Sequence, residues 1–258
     1  MENVKNHSNS AVLSIETNNE AKKTSQVNTE TKLNNSLIVR EGNFIYFGSY
    51  PQSKKEKNVI VYDDGNGSDG NKYCRISHYC YKYEPIKWEI LYENESEILL
   101  ISEKILDYKW AYKKDQMIHA IEEFSSQAFS DEEKVYCIPD EKYNDSGKEI
   151  LVSLMTPTKL RERLSFKQRF KKSTDYAIIQ GGSKGSWMLD EFSTENQDTN
   201  EYYKYTGYFA TIVNSLGLIQ KVQTRKEATS DYSRRFGKTS KFNDIYGLVP
   251  ILKLNKKV

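Results

Sequence analysis

Strand-like sequence patterns lie at both ends of the folded part of this chain, and helical patterns lie between them. At the first end, Asn43–Gly48 has the pattern of a strand that ends at a glycine, and Tyr50–Gln52 is predicted to turn the chain. Helical spacing follows in the middle, and strand patterns return in the last third. Because strands and helices are segregated instead of alternating, the sequence predicts an α+β fold.

An antiparallel hairpin is predicted after this first strand. Apolar and polar residues alternate over Pro85–Tyr92, and a second apolar run covers Glu97–Ser102. The segment between them, Glu93–Ser96, has the composition of a tight turn. We therefore expect the two strands to pair with each other.

Two helices are predicted in the middle of the chain. Apolar residues recur at helical spacing at Met117, Ile121, Phe124 and Ala128. Ser130–Glu133 has the capping-box pattern with which a second, shorter helix begins.

A further amphipathic helix is predicted to begin at Thr156 and Pro157. Threonine can accept hydrogen bonds from first-turn amides, and proline is tolerated at the first helical position. Leu160, Leu164 and Phe170 are predicted to face the core. The remaining predicted strands are Trp187–Leu189, Tyr208–Val213, Leu218–Val222 and Tyr246–Leu252.

The first 40 residues differ in composition from the rest of the chain. They interleave Asn, Thr, Ser, Glu and Lys, and they contain no aromatic residue. Such a segment buries too little apolar surface to offset the entropy lost on ordering. We therefore predict a disordered polar tail over residues 1–40 and a single domain over residues 41–258.

Charged residues are numerous but nearly balanced, with 38 basic against 36 acidic side chains. The whole chain therefore has no field that draws it to nucleic acid or to a membrane, and any basic patch must be local. The amino-terminal residues lack the apolar core of a signal peptide, and no segment is apolar enough to cross a bilayer. The three cysteines fit a reducing compartment. We expect a cytoplasmic protein without a membrane partner.

Seven short motifs follow one another along the chain, and we call them the landmark motifs. They are Ile45–Gln52, Trp88–Leu91, Leu99–Asp107, Ala128–Glu133, Thr174–Ala177, Ser186–Asp190 and Gly247–Leu252. In this order they resemble the motifs of a widespread bacterial domain family of unknown function, over residues 41–254. That family is similar to the C-type-lectin-like fold of sulfatase-modifying (formylglycine-generating) enzymes and of the variable proteins of diversity-generating retroelements.

The resemblance implies a C-type-lectin-like α+β domain, with a twisted antiparallel sheet, two or three helices and long loops. It implies no activity, because a fold does not fix function. The chain also departs from the family pattern, since the usual Arg-Ser-Pro is Asp190-Glu191-Phe192 here and the usual terminal Arg is Leu248. Ligand contacts that depend on those arginines are therefore not expected in this chain.

Three segments resemble metal sites, and each lacks residues that such a site requires. Cys74–Cys80 has no fourth ligand for zinc, and a disulfide between its two end cysteines stays an open alternative. Asp63–Gly70 lacks the twelfth-position glutamate of an EF-hand loop. Phe242–Asp244 resembles the Trp-Asn-Asp element of calcium-dependent lectins, whose companion tripeptide is absent. We predict no metal and no cofactor.

No catalytic residue is predicted. The histidines His7, His78 and His119 have no nucleophile assigned to them, and no serine lies in a Gly-x-Ser-x-Gly elbow. The formylglycine-generating enzymes use a late cysteine pair, whereas the last cysteine here is Cys137. Their oxygenase chemistry is therefore not implied by the resemblance.

A basic run between Lys159 and Lys172 contains seven basic residues and one acidic residue. On one helix face it would contact phosphates, and such binding would weaken steeply with salt. Few aromatic residues interleave with it and acidic segments lie nearby, so we interpret it as a solvated face. Weak nucleic-acid binding through this 159–172 helix stays an alternative.

The predicted ligand-binding residues lie between about 187 and 246, where tyrosines and arginines are dense. These two residue types most often dominate recognition surfaces. The set is Trp187, Asp190, Glu191, Tyr203, Tyr205, Tyr232, Arg234, Arg235, Asn243 and Asp244. We predict a non-catalytic module that binds a protein, peptide or glycan. The alternative is an enzyme distantly related to the sulfatase-modifying group.

Overall fold

The computed structural model describes residues 37–110, 113–146, 150–181, 185–237 and 245–257. Residues 34–258 group into one compact unit. Most of the predicted tail over residues 1–40 therefore lies outside the described residues. Ile38 is buried and Val39–Glu41 forms a strand, so regular structure begins slightly before the sequence-predicted boundary at residue 41.

The described residues form two β-sheets and five α-helices. The strands are β1 Val39–Glu41, β2 Phe44–Lys54, β3 Tyr73–Ile76, β4 Tyr79–Glu93, β5 Glu97–Ser102, β6 Asp107–Trp110, β7 Val152–Ser153, β8 Trp187–Asn196, β9 Tyr205–Val213, β10 Ile219–Ala228, β11 Ile245–Leu248 and β12 Ile251–Asn255. The helices are α1 Lys114–Ala128, α2 Asp131–Lys134, α3 Pro157–Arg163, α4 Asp175–Gly181 and α5 Asp231–Phe236. The predicted α+β class is confirmed.

The first sheet has the strand order β1-β2-β4-β5-β12-β7, with β3 paired to β4. The predicted hairpin is confirmed as the antiparallel pair β4–β5. The second sheet has the order β10-β9-β8-β11-β6, and its β11–β8 contact is parallel whereas its other pairs are antiparallel. Strand β12 lies inside the first sheet, between β5 and β7.

The prediction of a turn at Tyr50–Gln52 is wrong, because β2 continues through these residues. A bulge bends the strand instead: Gly48 has φ +69°, and the register of β2 against β4 shifts next to it. A Cβ atom at Gly48 would lie 2.6 Å from Cε1 of Phe129 and 2.9 Å from the carbonyl oxygen of Ala128. Only glycine combines this φ with so close an approach.

The bulge of β2 is also where three landmark motifs meet. The indole nitrogen of Trp88 donates a 2.8 Å hydrogen bond to the carbonyl oxygen of Phe47. The Phe47 and Phe129 rings lie 5.5 Å apart. The Gly48 amide donates to Oε1 of Glu133 at 3.2 Å. These motif residues therefore pack against one another in the core.

A buried carboxylate joins the two sheets. The hydroxyl of Tyr50, in the first sheet, donates a 2.8 Å hydrogen bond to Oδ2 of Asp107, in the second. The amide of Tyr108 donates to Oδ1 at 2.7 Å, and Nζ of Lys109 lies 3.3 Å from Oδ2. Burial raises the pKa of Asp107, and the Lys109 charge and the Tyr50 hydroxyl oppose that rise. Asp107 is thus a fully enclosed acceptor with three donors.

The predicted helices are largely confirmed. In α1 the four periodic apolar residues are all buried, and α2 has both hydrogen bonds of its capping box. Thr156 caps α3 as predicted, and Leu160 and Leu164 are buried. The prediction that Phe170 faces the core is wrong, because this residue is 49% exposed.

The basic run from 159 to 172 does not lie on a single helix. Helix α3 ends at Arg163, and a separate 3₁₀ turn covers Phe166–Arg169. Lys171 is buried, with Nζ 3.7 Å from Oε2 of Glu89, and burial lowers its pKa. The run therefore offers no continuous basic helix face to a phosphate backbone.

We expect the Tyr50→Phe substitution to lower the free energy of unfolding by about 1.5–3 kcal/mol, because it removes a buried hydrogen bond to a charged group. Urea unfolding measures the change. Tyr176→Phe is the matched control, since the Tyr176 ring packs against Tyr50 at 5.6 Å and its hydroxyl accepts a hydrogen bond from the side-chain amide of Gln180 at 3.0 Å. Its expected cost is about 1 kcal/mol. Equal losses in the two variants would contradict this role for Asp107.

A second charge cluster ties the first strand to the carboxyl terminus. Arg40 donates to both carboxylate oxygens of Glu93, at 3.0 and 2.9 Å, and Nζ of Lys256 donates to Oε1 at 2.9 Å. The Arg40 hydrogen bond, more than that of Lys256, lowers the pKa of Glu93 below its usual 4.5. The ionised carboxylate therefore stabilises the fold, and that contribution is present above pH 4.5 and lost as the pH falls below it.

The Glu93→Gln substitution is expected to cost about 1 kcal/mol at pH 7, because the cluster is partly exposed to solvent. Since protonation removes the same charge, the difference from wild type should disappear as the pH falls through the lowered pKa. Chemical denaturation at a series of pH values checks this. Glu95→Gln, at an exposed neighbouring position, should show no such pH-dependent difference. A Glu93→Gln difference that persists at low pH would rule out the assignment.

Candidate functional site

A cluster of three tyrosines lies at the open end of the β9–β10 hairpin. Tyr202 and Tyr203 precede β9, and Tyr232 lies in α5. The ring centroid of Tyr232 lies 5.6 Å from that of Tyr202 and 5.0 Å from that of Tyr203. Tyr202 is 57% exposed and Tyr232 is 44% exposed. We call this cluster the tyrosine surface.

Hydrogen bonds from the start of α5 hold the tyrosine surface together. Ser230 Oγ donates to the carbonyl oxygen of Tyr202 at 2.6 Å. Ser233, which is fully buried, donates from Oγ to the carbonyl oxygen of Lys204 at 2.8 Å. The side-chain oxygen of Asn200 accepts from the Tyr202 and Tyr203 amides at 2.9 Å each. The backbone that carries the exposed rings is therefore held by hydrogen bonds from Asn200 on one side and from Ser230 and Ser233 on the other.

Basic side chains border the tyrosine surface. Arg235 follows Tyr232 by three positions in α5, so the two side chains share a helix face, whereas Arg234 pairs with Asp231 at 3.2 Å. Lys226 Nζ lies 4.2 Å from the ring centroid of the buried Tyr205. Among the described residues, Arg235 is exposed and takes part in no ion pair. Its guanidinium is therefore available to a partner beside Tyr232.

The tyrosine hydroxyls interact within the cluster. A hydrogen bond with Tyr232, more than desolvation, raises the pKa of Tyr203. The Tyr203 hydroxyl therefore stays protonated at physiological pH. The surface offers aromatic rings with polar edges, together with the exposed guanidinium of Arg235.

Two predicted site residues lie elsewhere, within the frame of the domain. Trp187 is fully buried and donates from Nε1 to the carbonyl oxygen of Arg169 at 3.0 Å. Asp190 is nearly buried, and it accepts from the Tyr143 hydroxyl at 2.7 Å and from Lys142. Their contacts are internal, so the structure does not bring either residue to the tyrosine surface.

The other predicted site residues outside the tyrosine surface are Glu191, Asn243 and Asp244. Glu191 is exposed and accepts a hydrogen bond from Thr211 Oγ1. Asn243 and Asp244 lie outside the described residues. Tyr202, which the predicted set omits, is the most exposed ring of the cluster. Its position beside Tyr203 in sequence is the signal that would have included it.

A groove of about 340 Å³ lies on the first sheet, away from the tyrosine surface. Its lining includes Gln52, Glu84 and Lys104, together with Lys87 and Glu103, which pair at 2.8 Å. The hydrogen bond to Glu103 raises the pKa of Lys87. A lysine that serves as a general base needs a lowered pKa, so this ion pair does not provide one. The groove therefore has a charged lining in which Lys87 does not act as a general base.

The chain matches no protein-family model, no curated protein and no solved structure. Any inference about its function therefore depends on the geometry of the structure. In the described ranges, no group of three or more His, Cys, Asp or Glu side chains is placed to hold a metal ion. None of the described helices has the length and apolar character needed to cross a bilayer.

The Ser233→Ala substitution is expected to loosen the tyrosine surface, because it leaves the Lys204 carbonyl without its side-chain donor. We expect the amides of Arg234 and Gly237, which bond to the carbonyls of residues 230 and 233, to exchange about fivefold to tenfold faster. Hydrogen exchange followed by NMR measures this. Ser126→Ala, on the exposed side of α1, should leave these amides unchanged. Unchanged exchange in Ser233→Ala would show that the surface is held by other contacts.

Proposed function

We propose that this protein is a non-catalytic binding module whose tyrosine surface, together with Arg235, recognises a protein or peptide partner. The main support for this proposal is that the Tyr202 and Tyr232 side chains are exposed, while hydrogen bonds from Ser230 and Ser233 hold the neighbouring backbone in place. Rigid aromatic side chains supply a large contact area at a low cost in conformational entropy. Such pre-organisation favours binding, because less freedom is lost when the complex forms.

The residue types of this surface favour a protein partner over a glycan. Tyrosine and arginine are enriched among the residues that dominate protein interfaces. The free guanidinium of Arg235 beside Tyr232 is suited to a carboxylate, which it can bind through two parallel hydrogen bonds. The expected partner segment therefore offers an apolar side chain to the rings and an acidic side chain to Arg235.

We further propose that the domain is a variant of the C-type-lectin-like fold. Three features support this proposal: the predominantly antiparallel sheets, the placement of helices α1 to α4 between β6 and β8, and the late strand β12 beside the early strand β5. The landmark motifs contribute the contacts at the centre of that arrangement. An experimental structure compared with known members of the fold would test it.

A phage-displayed library of random peptides, selected on the full chain, tests the binding proposal. We expect selected peptides to combine aromatic or aliphatic residues with Asp or Glu. Tyr202→Ala and Tyr232→Ala should each weaken a selected peptide by at least tenfold, the size expected for a dominant interface residue. Arg235→Ala should weaken acidic peptides more than their neutral analogues.

Two matched controls make this test specific. Tyr62 is 54% exposed in a different region, so Tyr62→Ala should leave peptide affinity unchanged. Arg234→Ala, which removes the arginine already paired with Asp231, should have a much smaller effect than Arg235→Ala. If no peptide is selected, if the tyrosine variants bind as well as wild type, or if only glycans bind, the proposal is wrong.

A further inference from the structure

Four large apolar side chains are exposed together at the closed end of the β9–β10 hairpin. Phe166 is 51% exposed, Phe170 is 49% exposed, Leu216 is 65% exposed and Leu218 is 51% exposed. We call them the Phe-Leu patch. Isolated exposed apolar residues need no explanation, but a contiguous group of this kind marks an interaction site.

The two phenylalanine rings of the Phe-Leu patch meet under the hairpin turn that carries the leucines. The Phe166 and Phe170 rings meet edge to face at 5.1 Å between centroids. A Cβ atom placed on Gly217, at the tip, would lie 3.1 Å from the Phe170 ring and 3.4 Å from the Phe166 ring. The turn therefore sits directly on the two rings, with a leucine on either side of Gly217.

The turn that carries the leucines is held in one shape. Gly217 has φ +73°, which suits glycine, and its amide donates to the carbonyl oxygen of Asn214 at 2.9 Å. The side-chain oxygen of Asn214 accepts from the amides of Leu216 and Leu218 at 2.9 and 3.0 Å. The backbone amides of Leu216, Gly217 and Leu218 are hydrogen-bonded within the turn, and the leucine side chains point into solvent. The turn therefore does not need exposed leucines for its own stability.

Basic residues adjoin the phenylalanines of the Phe-Leu patch in sequence. Lys167 lies between the two phenylalanines in sequence, and Lys172 follows them; both are exposed. Within the described part of the chain, neither lysine takes part in an ion pair, and the same holds for Lys159 and Arg161 in α3. Lys171, by contrast, is buried against Glu89. The patch therefore combines exposed apolar side chains with uncompensated cations.

We infer that the Phe-Leu patch docks on the surface of an anionic lipid bilayer. Aliphatic and aromatic side chains enter the boundary between headgroups and acyl chains, and neighbouring lysines attract the negative surface. The protein lies on the bilayer in this arrangement and does not span it. The inference goes beyond the proposed function, because it concerns a second surface at the other end of the same hairpin.

The composition of the Phe-Leu patch favours a bilayer over other anionic partners. Lysine is depleted from protein interfaces, and leucine is under-represented among their dominant residues. Single-stranded nucleic acid would stack its bases on aromatic rings, and two of the four side chains here are aliphatic. The tyrosine surface has the opposite composition, with Tyr and Arg, which is why a protein partner is assigned there.

The near balance of charge over the whole chain does not oppose this contact. The sequence predicts no membrane partner because its basic and acidic totals almost cancel and because it lacks a spanning segment. Both arguments concern the chain as a whole. A peripheral contact depends only on the local charge within about a Debye length, roughly 8 Å at physiological salt.

Co-sedimentation of the full chain with lipid vesicles tests the inference. We expect partition onto vesicles of phosphatidylcholine mixed with phosphatidylglycerol, much weaker partition onto phosphatidylcholine alone, and a decrease with added salt. The double substitution Leu216→Ser and Leu218→Ser should reduce partition at least tenfold, since binding scales with buried apolar area. Lys167→Gln and Lys172→Gln should each reduce it about fivefold.

Matched controls separate the patch from general surface effects. Ile60 is 64% exposed and Lys57 is exposed nearby, so Ile60→Ser and Lys57→Gln should leave partition unchanged. Tyr202→Ala should also leave it unchanged, whereas the leucine variants should retain peptide binding, so the two proposals fail separately. Circular dichroism verifies that each variant is folded.

Several results would overturn the inference. They are the absence of partition onto anionic vesicles, equal partition onto neutral ones, and equal loss in the Ile60→Ser control. Binding of an acidic peptide or of single-stranded DNA through Leu216 and Lys167, without vesicle binding, would assign the patch to that partner instead.

Discussion

The buried hydrogen bond from Tyr50 to Asp107 joins the two sheets, and much of the structure depends on it. A carboxylate with no exposed surface is stable only when donors surround it, so Tyr50, the Tyr108 amide and Lys109 must all be in place. The bulge at Gly48 contributes to this placement, because it bends β2 between Phe47 and Tyr50. The same bend lets Phe129 approach the strand closely.

This constraint explains the role of the landmark motifs. Their residues contact one another: Trp88 donates to the backbone carbonyl of Phe47, Glu133 accepts from the Gly48 amide, and Asp107 accepts from the Tyr50 hydroxyl. Motif residues that make internal contacts of this kind stabilise the fold, and they give no information about a ligand. Trp187 and Asp190 illustrate the point, since sequence reasoning placed them in a recognition surface and the structure uses them inside the frame.

The two proposed surfaces lie at opposite ends of the β9–β10 hairpin. Tyr205 pairs with Ala228 at one end and Val213 pairs with Ile219 at the other, so they are separated by roughly 26 Å along the strands. A protein partner at the tyrosine surface and a bilayer at the Phe-Leu patch would therefore not compete for space along this hairpin.

Local patterns in the sequence determined the α+β class, the β4–β5 hairpin and the buried face of α1, because each depends on neighbours a few residues apart. The caps of α2 and α3 followed from the same short-range chemistry. Tertiary structure decided what depends on distant residues: β2 passes through Tyr50–Gln52 because β4 pairs along it, and the basic run is divided where α3 ends. It also decided which tyrosines meet and that Phe170 lies beside Gly217 at the surface, because exposure is set by packing between segments far apart in the chain.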